Sequence, residues 1–242
     1  MNIILFEDTP KYISLTDPRG RHIKRILKLQ AGDRFRAGIV NGPVGEVEIT
    51  DTDPGGYQLH WTPTGAPVTP YPLTLIIGFV RPISAKRILR EAASLGVSRL
   101  VFTVTDTGER SYRRANLWIK GEYRDYLING LQTAGATVMP EVSLCDDLPT
   151  AIAKAAPTET AAVEAHKFLL DNTTDGAVLD LPQSTDRPVI LAVGSERGWS
   201  ERERRIFTES SYRPVQIGRR VLRTETACSA GAALALKLMG YM

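Results

Sequence analysis

Four prolines fall within residues 62–72, the stretch TPTGAPVTPYP. Proline fixes φ and lacks an N–H, so a run this dense cannot lie inside a helix or a central strand. It reads as a semi-rigid linker that divides the 242 residues into a short first part and a long second part. On this basis residues 1–68 form one domain and residues 69–242 another. With 43% hydrophobic and 24% charged residues, the composition excludes disordered, collagen-like and coiled-coil classes. A chain this long buries enough surface to need neither disulfide nor metal.

The two parts have different rhythms. Before the linker, residues 2–6, 33–40, 45–50 and 57–62 read as strands, separated by turns such as Asn41-Gly42-Pro43-Val44 and Asp53-Pro54-Gly55-Gly56. This spacing predicts a small β-barrel with one helix, at residues 20–28. After the linker, strand segments at 73–80, 99–105, 160–165, 188–193 and 213–217 alternate with helical segments at 84–95, 116–134, 147–156, 200–210 and 224–239. Ser84 is the candidate N-cap of the first of these helices and Gly96 its stop. Ser200 and Glu203 form a capping-box pattern. Buried strands alternating with helices predict a parallel α/β sheet with ligand sites at the strands' carboxyl ends.

Other classes are disfavoured. The net charge is +3, no apolar run approaches a membrane span, and the start carries Glu7 and no basic segment, so a cytoplasmic protein is expected. Cys145 and Cys228 stand alone, and His22, His60 and His166 show no ligand spacing, so no metal is expected.

Two segments carry chemistry. In VILAVGSERGWS (residues 189–200) a buried strand runs into Gly194, a glycine-bearing loop and a helix start. It lacks both the GxGxxG of dinucleotide sites and the GK[ST] of phosphate loops. In QIGRRVLRTETA (residues 216–227) a strand runs into Gly218, then Arg219, Arg220 and Arg223, then Thr224 and Glu225 at a helix start. Three arginines beside a strand tip suit phosphates or a polar base edge. As a purely structural turn, the same segment has Thr224 as a cap and Glu225 favourable at the helix dipole.

Together these segments resemble the ribosomal small-subunit RNA methyltransferases of the RsmE type, in the SPOUT superfamily. That family's pattern is GPEGG-F-S-x-x-E after a strand and LGxRILRxETA before the last helix. Here residues 194–203 read GSERGWSERE and residues 217–227 read IGRRVLRTETA, with Ser195 and Arg197 replacing the first motif's proline and a glycine. The likeness covers nearly the whole chain. It implies a SPOUT-type parallel sheet with a C-terminal trefoil knot, a PUA-like N-terminal β-barrel that binds RNA, and a homodimer. It also implies S-adenosylmethionine as donor and N3 of a uridine in small-subunit (16S) ribosomal RNA as target, met in the assembled subunit. Cofactor contacts are expected at Ala165, His166, Val193, Gly194, Glu196, Gly198, Ile217, Gly218, Arg220, Val221, Leu222 and Thr226. Glu225 and Glu196 are alternative general bases, and Arg223 is a candidate for holding the uridine. A binding-only assembly protein of this fold and a SPOUT methyltransferase acting on tRNA stand as rival readings.

Basic clusters supply the expected RNA track. Arg19, Arg21, His22, Lys24, Arg25 and Lys28 fall within ten residues without an acid. Arg87 flanks the end of the first strand after the linker, and Arg110, Arg113 and Arg114 bracket Tyr112. Cations beside an aromatic suit phosphates and a stacked base. The expected RNA contacts are therefore Arg21, Lys24, Arg25, Arg87, Arg110, Arg113 and Arg114.

Overall fold

The computed structural model describes residues 2–157, 164–172, 177–179 and 187–242. Its chain forms two compact units, Met1–Thr69 with Leu131–Met139, and Pro70–Gly130 with Pro140–Met242.

The first unit holds β1 (Ile4–Phe6), β2 (Tyr12–Ser14), α1 (Pro18–His22), β3 (Arg34–Ile39), β4 (Val44–Asp53) and β5 (Gly56–Gly65). The strands lie in the order β1-β3-β4-β5-β2, antiparallel except for β1 on β3. β1 and β2 do not pair, so the predicted barrel is an open half-barrel. Its interior packs Phe6, Ile13, Ile23, Phe35, Val47 and Ile49. α1 starts where Asp17 accepts the Arg19 N–H and Pro18 takes the first helical position, which needs no donor. The Arg19 guanidinium, 2.6 Å away, holds the Asp17 carboxyl below the usual range. The predicted helix over 20–28 is instead this α-helical turn followed by a π turn, Ile23–Leu27.

The second unit holds β6 (Tyr71–Gly78), α2 (Pro82–Leu95), β7 (Val97–Thr103), α3 (Asn116–Ile119), α4 (Tyr123–Ala134), β8 (Glu141–Cys145), α5 (Leu148–Ala155), β9 (His166–Leu170), β10 (Ala177–Val178), β11 (Val189–Val193), α6 (Glu201–Glu209), β12 (Arg213–Gln216) and α7 (Thr224–Leu238). The last residues of α4 belong to the first unit. The strands form one sheet, β10-β12-β9-β11-β6-β7-β8, and every pairing is parallel. β11 lies between β9 and β6 and is buried along its whole length.

Several expectations shift. The proline tract is irregular only over residues 66–70. Pro63 is inside β5, opposite Gly45, where the β4–β5 ladder shifts register. Because β2 pairs only with residues 56–58 of β5, no strand of the sheet needs an N–H from Pro63 on the other edge. Pro72 lies in β6 within the irregular pairing between Tyr71 and Thr74. The predicted helix over 116–134 breaks into α3 and α4 around Gly121, whose φ of 70° only glycine adopts cheaply. α2 starts at Pro82 with Arg81 as its cap, not Ser84. Of the predicted strand 160–165, residues 160–163 lie outside the described residues, and the observed strand is β9, beginning at His166. The apolar Ala-Ala-Val at 161–163 attracts the pattern, whereas His166 and Lys167 mask the true strand's start. β2, β8 and β10 carry no recognisable signal, being short and at or near sheet edges.

Phe207 of α6 is fully buried, edge-on to Trp199 (4.8 Å) and Tyr212 (4.9 Å). Phe207→Ala is expected to cost about 3–5 kcal/mol, read by chemical denaturation, because it empties a ring's volume inside a buried aromatic cluster. A loss below about 1 kcal/mol would show that the aromatic cluster does not hold α6 to the sheet.

Candidate active site

Three strands end at the same level. Leu170 of β9 pairs with Val193 of β11 and Val215 of β12, and Val193 pairs with Ile77 of β6. The segments leaving β9, β11 and β12 enclose a cavity of about 720 Å³. Leu170, Val193, Val215 and Ile217 supply apolar wall, and Asp171, Asn172, Glu196 and Arg204 supply polar groups.

The loop after β11 is a tight turn, with the Gly198 N–H donating to the Ser195 carbonyl at 2.9 Å. A Cβ on Gly194 would lie 2.8 Å from the Gly198 Cα, so this turn closes only on glycine. Ser195 is buried and its hydroxyl accepts from Thr105 Oγ1 at 3.3 Å. Thr107 Oγ1 donates to the Gly198 carbonyl at 2.8 Å. Behind the turn, Glu203 has no exposed surface, and its carboxylate accepts the Ser200 N–H at 2.7 Å and the Asp106 N–H at 2.9 Å. Ser200 and Glu203 form the predicted capping box. Asp106 in turn accepts from the Ser200 hydroxyl (2.5 Å) and from two nitrogens of Arg202 (2.6 and 2.9 Å). Arg202 first and Ser200 second hold the Asp106 carboxyl below the usual carboxylate range. The segment following β7 thus clamps the turn following β11.

The loop after β12 differs. A Cβ on Gly218 would meet nothing within 4 Å. Val221 and Leu222 face outward at 79% and 39% exposure, beside the cavity. Arg223 is the N-cap of α7 and makes no side-chain capping bond.

Two carboxylates line the cavity close to these loops. Glu196 Oε1 accepts the backbone N–H of Arg81, 2.9 Å away at the start of α2. Glu225, in the first turn of α7, is mostly buried and meets Arg87 at 3.4 Å. Val193, Gly194, Glu196, Gly198, Ile217, Gly218, Arg220, Val221, Leu222, Arg223 and Glu225 therefore converge on one cavity. The structure does not bring Ala165, His166 or Thr226 there. Ala165 and His166 lie at the amino end of β9, the opposite end from the cavity, because the strand sits one strand-length later than the sequence suggests. Burial, with Arg187 and Arg213 nearby, lowers the affinity of His166 for a proton. Thr226 is an exposed residue of α7. Sequence reasoning missed Asp171 and its ion pair with Arg204 inside the cavity. The displaced strand hid it.

The chain matches the RNA methyltransferase domain family over residues 67–236 and the RNA methyltransferase PUA domain family over residues 15–60. It is 39% identical to the ribosomal RNA small subunit methyltransferase E of Treponema pallidum, over 98% of this chain and 91% of that protein. The chain belongs to the ribosomal RNA small subunit methyltransferase E family. A second relative in the family, ribosomal RNA small subunit methyltransferase E 1 of Borreliella burgdorferi, is 30% identical over 96% of each chain. The fold is that of the family's Neisseria gonorrhoeae protein bound to S-adenosyl methionine, with a TM-score of 0.75, 20% identity and 98% coverage of both chains.

For this family member the expected RNA residues divide. Lys24, Arg25, Arg110 and Arg114 are exposed. Arg21 is exposed but donates to the Thr16 carbonyl at 2.6 Å. Arg87 is engaged by Glu225, and Arg113 turns toward Asp146 (3.4 Å) and the Phe79 ring (5.9 Å). Cys228, on α7, is buried, and burial followed by Glu225 pushes its thiol up, so it is no nucleophile.

The two glycines separate structure from binding. Gly218→Val should keep the melting temperature and lower affinity for S-adenosylmethionine in a calorimetric titration, since its side chain enters only open cavity. Gly194→Val should instead lose the fold. Wild-type affinity in a folded Gly218→Val protein would remove this loop from the binding site. Asp106 gives a pH test. Its folded pKa is depressed, so its contribution is complete above the unfolded value of about 4 and disappears as pH falls through the folded one. The melting-temperature gap between wild type and Asp106→Asn should therefore close on acidification below about pH 4. A gap constant across that range would show that the Asp106 charge does not stabilise the clamp.

Proposed function

We propose that the protein methylates N3 of a uridine in small-subunit ribosomal RNA, with S-adenosylmethionine bound in the cavity at the ends of β9, β11 and β12. The observation that carries this reading is that the two motif loops form one cavity, with Arg223 and Glu225 on its wall. The residues present fit the donor. A volume of about 720 Å³ is within the usual range for cofactor sites. Gly218 leaves room for close backbone approach, and the outward Val221 and Leu222 offer apolar cover to an adenine ring. Leu170, Val193 and Ile217 supply the opposing wall.

When bound, S-adenosylmethionine supplies an electrophilic methyl on a sulfonium. The protein's own task is to place the uridine imide nitrogen in line and to take its proton. Of the two carboxylates, Glu196 is committed to the Arg81 N–H, whereas Glu225 has only a side-chain partner, Arg87, that can rotate away. We assign Glu225 as the base. To Arg223, on the cavity wall and without a side-chain capping bond, we assign contact with the uridine's carbonyl oxygens or its phosphate. Residues 1–68 form the RNA-binding domain of this proposal and residues 69–242 the methyltransferase domain, acting as a cytoplasmic homodimer on the assembled subunit, with the second domain tied in a trefoil knot. Among the described residues no helix is long and apolar enough to cross a membrane.

Mass mapping of small-subunit RNA from a deletion strain against wild type tests the reaction. One methyl group missing from one uridine is the expected result, and an unchanged small-subunit RNA with a changed tRNA would overturn it. For the base, Glu225→Gln should slow single-turnover methylation by about 10²-fold or more while donor affinity holds. Near-wild-type turnover would move the role to Glu196.

A further inference from the structure

The π turn of the first unit displays two apolar side chains that nothing in the methylation site uses. Ile23, Ile26 and Leu27 have the spacing of one helical stripe. Ile23 is fully buried in the half-barrel, yet Ile26 is 67% and Leu27 38% exposed. The backbone produces this division. Bonding from i to i+5 puts more residues into the turn and rotates the later side chains off the buried face. Lys28 then ends the turn at a φ of 56°, unusual for a side chain other than glycine, with its N–H on the Ile23 carbonyl. Such single π turns occur often at functional sites.

The surroundings select the partner. Lys24, Arg25 and Lys28 are exposed, and no described residue forms an ion pair or hydrogen bond with their charged ends. No acidic residue occurs from 18 to 32. An exposed apolar pair flanked in sequence by cations, with no acid between residues 18 and 32, suits a polyanion that also offers a flat apolar face. We infer that Ile26 and Leu27 form a platform for an unstacked base of single-stranded RNA, with Lys24, Arg25 and Lys28 on the adjoining phosphates. Ile and Leu serve as apolar wedges between bases in other nucleic-acid complexes, and RNA is read chiefly where its bases are unpaired. This site deepens the proposed function, because it rests on the chain acting on RNA and adds how the first unit selects its structure.

The test uses the full-length protein, a labelled oligouridylate and an RNA duplex of equal length. Ile26→Ala/Leu27→Ala should bind the oligouridylate about fivefold more weakly, with duplex affinity and salt dependence unchanged. Lys24→Ala/Arg25→Ala/Lys28→Ala should lower the slope of log K against log salt by about 0.7 for each phosphate no longer neutralised. Circular dichroism checks folding, and Ile26→Met/Leu27→Met should restore binding in a packing-neutral way. Wild-type affinity for the oligouridylate in the folded double-alanine variant overturns the inference, as does an equal loss on strand and duplex. Wild-type binding to both RNAs with weakened binding to intact small subunits also overturns it and points to a ribosomal protein. Donor titration of wild type is independent: its failure would sink the methyltransferase reading and leave the platform untouched.

Discussion

The placement of β11 governs the second unit. Its five residues are all buried, and they pair in register with β9 on one side and β6 on the other, neither of which is its neighbour in sequence. That register brings Leu170, Val193 and Ile77 to one level, and β12 adds Val215 beside Leu170. The loops must therefore leave the sheet together, and the cavity between them follows from parallel pairing rather than from any one side chain. A parallel ladder with helices on its faces has no exposed apolar surface to spare, so its chemistry is confined to the strand ends.

Within that frame, rigidity comes from a polar clamp. Glu203 is a fully buried carboxylate that satisfies two backbone donors on separate segments, the Asp106 and Ser200 N–H groups. A buried carboxylate without such donors would be strongly destabilising, so the two segments are held for as long as Glu203 stays inside. Thr107 and Ser195 extend the same clamp onto the turn. The loop after β12 is open by comparison: a Cβ on Gly218 would meet nothing within 4 Å and Val221 faces outward. Of the two motif loops, the first is held by side-chain hydrogen bonds and the second leaves open space at Gly218.

Much of this was legible in the sequence where local and global signals agree. The continuous VILAV run marks β11, and Ser200 with Glu203 marks the start of α6, because both patterns depend on short-range chemistry. The clustering of Gly194, Gly218, Arg223 and Glu225 was legible through motif likeness, since no spacing rule joins segments on separate strands. Asp171 was not legible: β9 opens with His166-Lys167, and its apolar core of three residues is too short to outweigh a neighbouring Ala-Ala-Val. Pro63 and Pro72 misled for a physical reason, as each sits at a ladder irregularity where no N–H is required. The exposure of Ile26 was illegible because helical spacing assumes α geometry, and one π turn cancels it.

Amide hydrogen exchange with and without S-adenosylmethionine tests the central claim, that the two motif loops and the end of β9 form one donor site. Saturating donor should slow exchange at residues 170–172, 194–198 and 217–223, most strongly in the last of these, and leave His166 and the Ile23–Leu27 turn unchanged. Protection at His166 without protection at residues 217–223, or none anywhere at saturation, would contradict it.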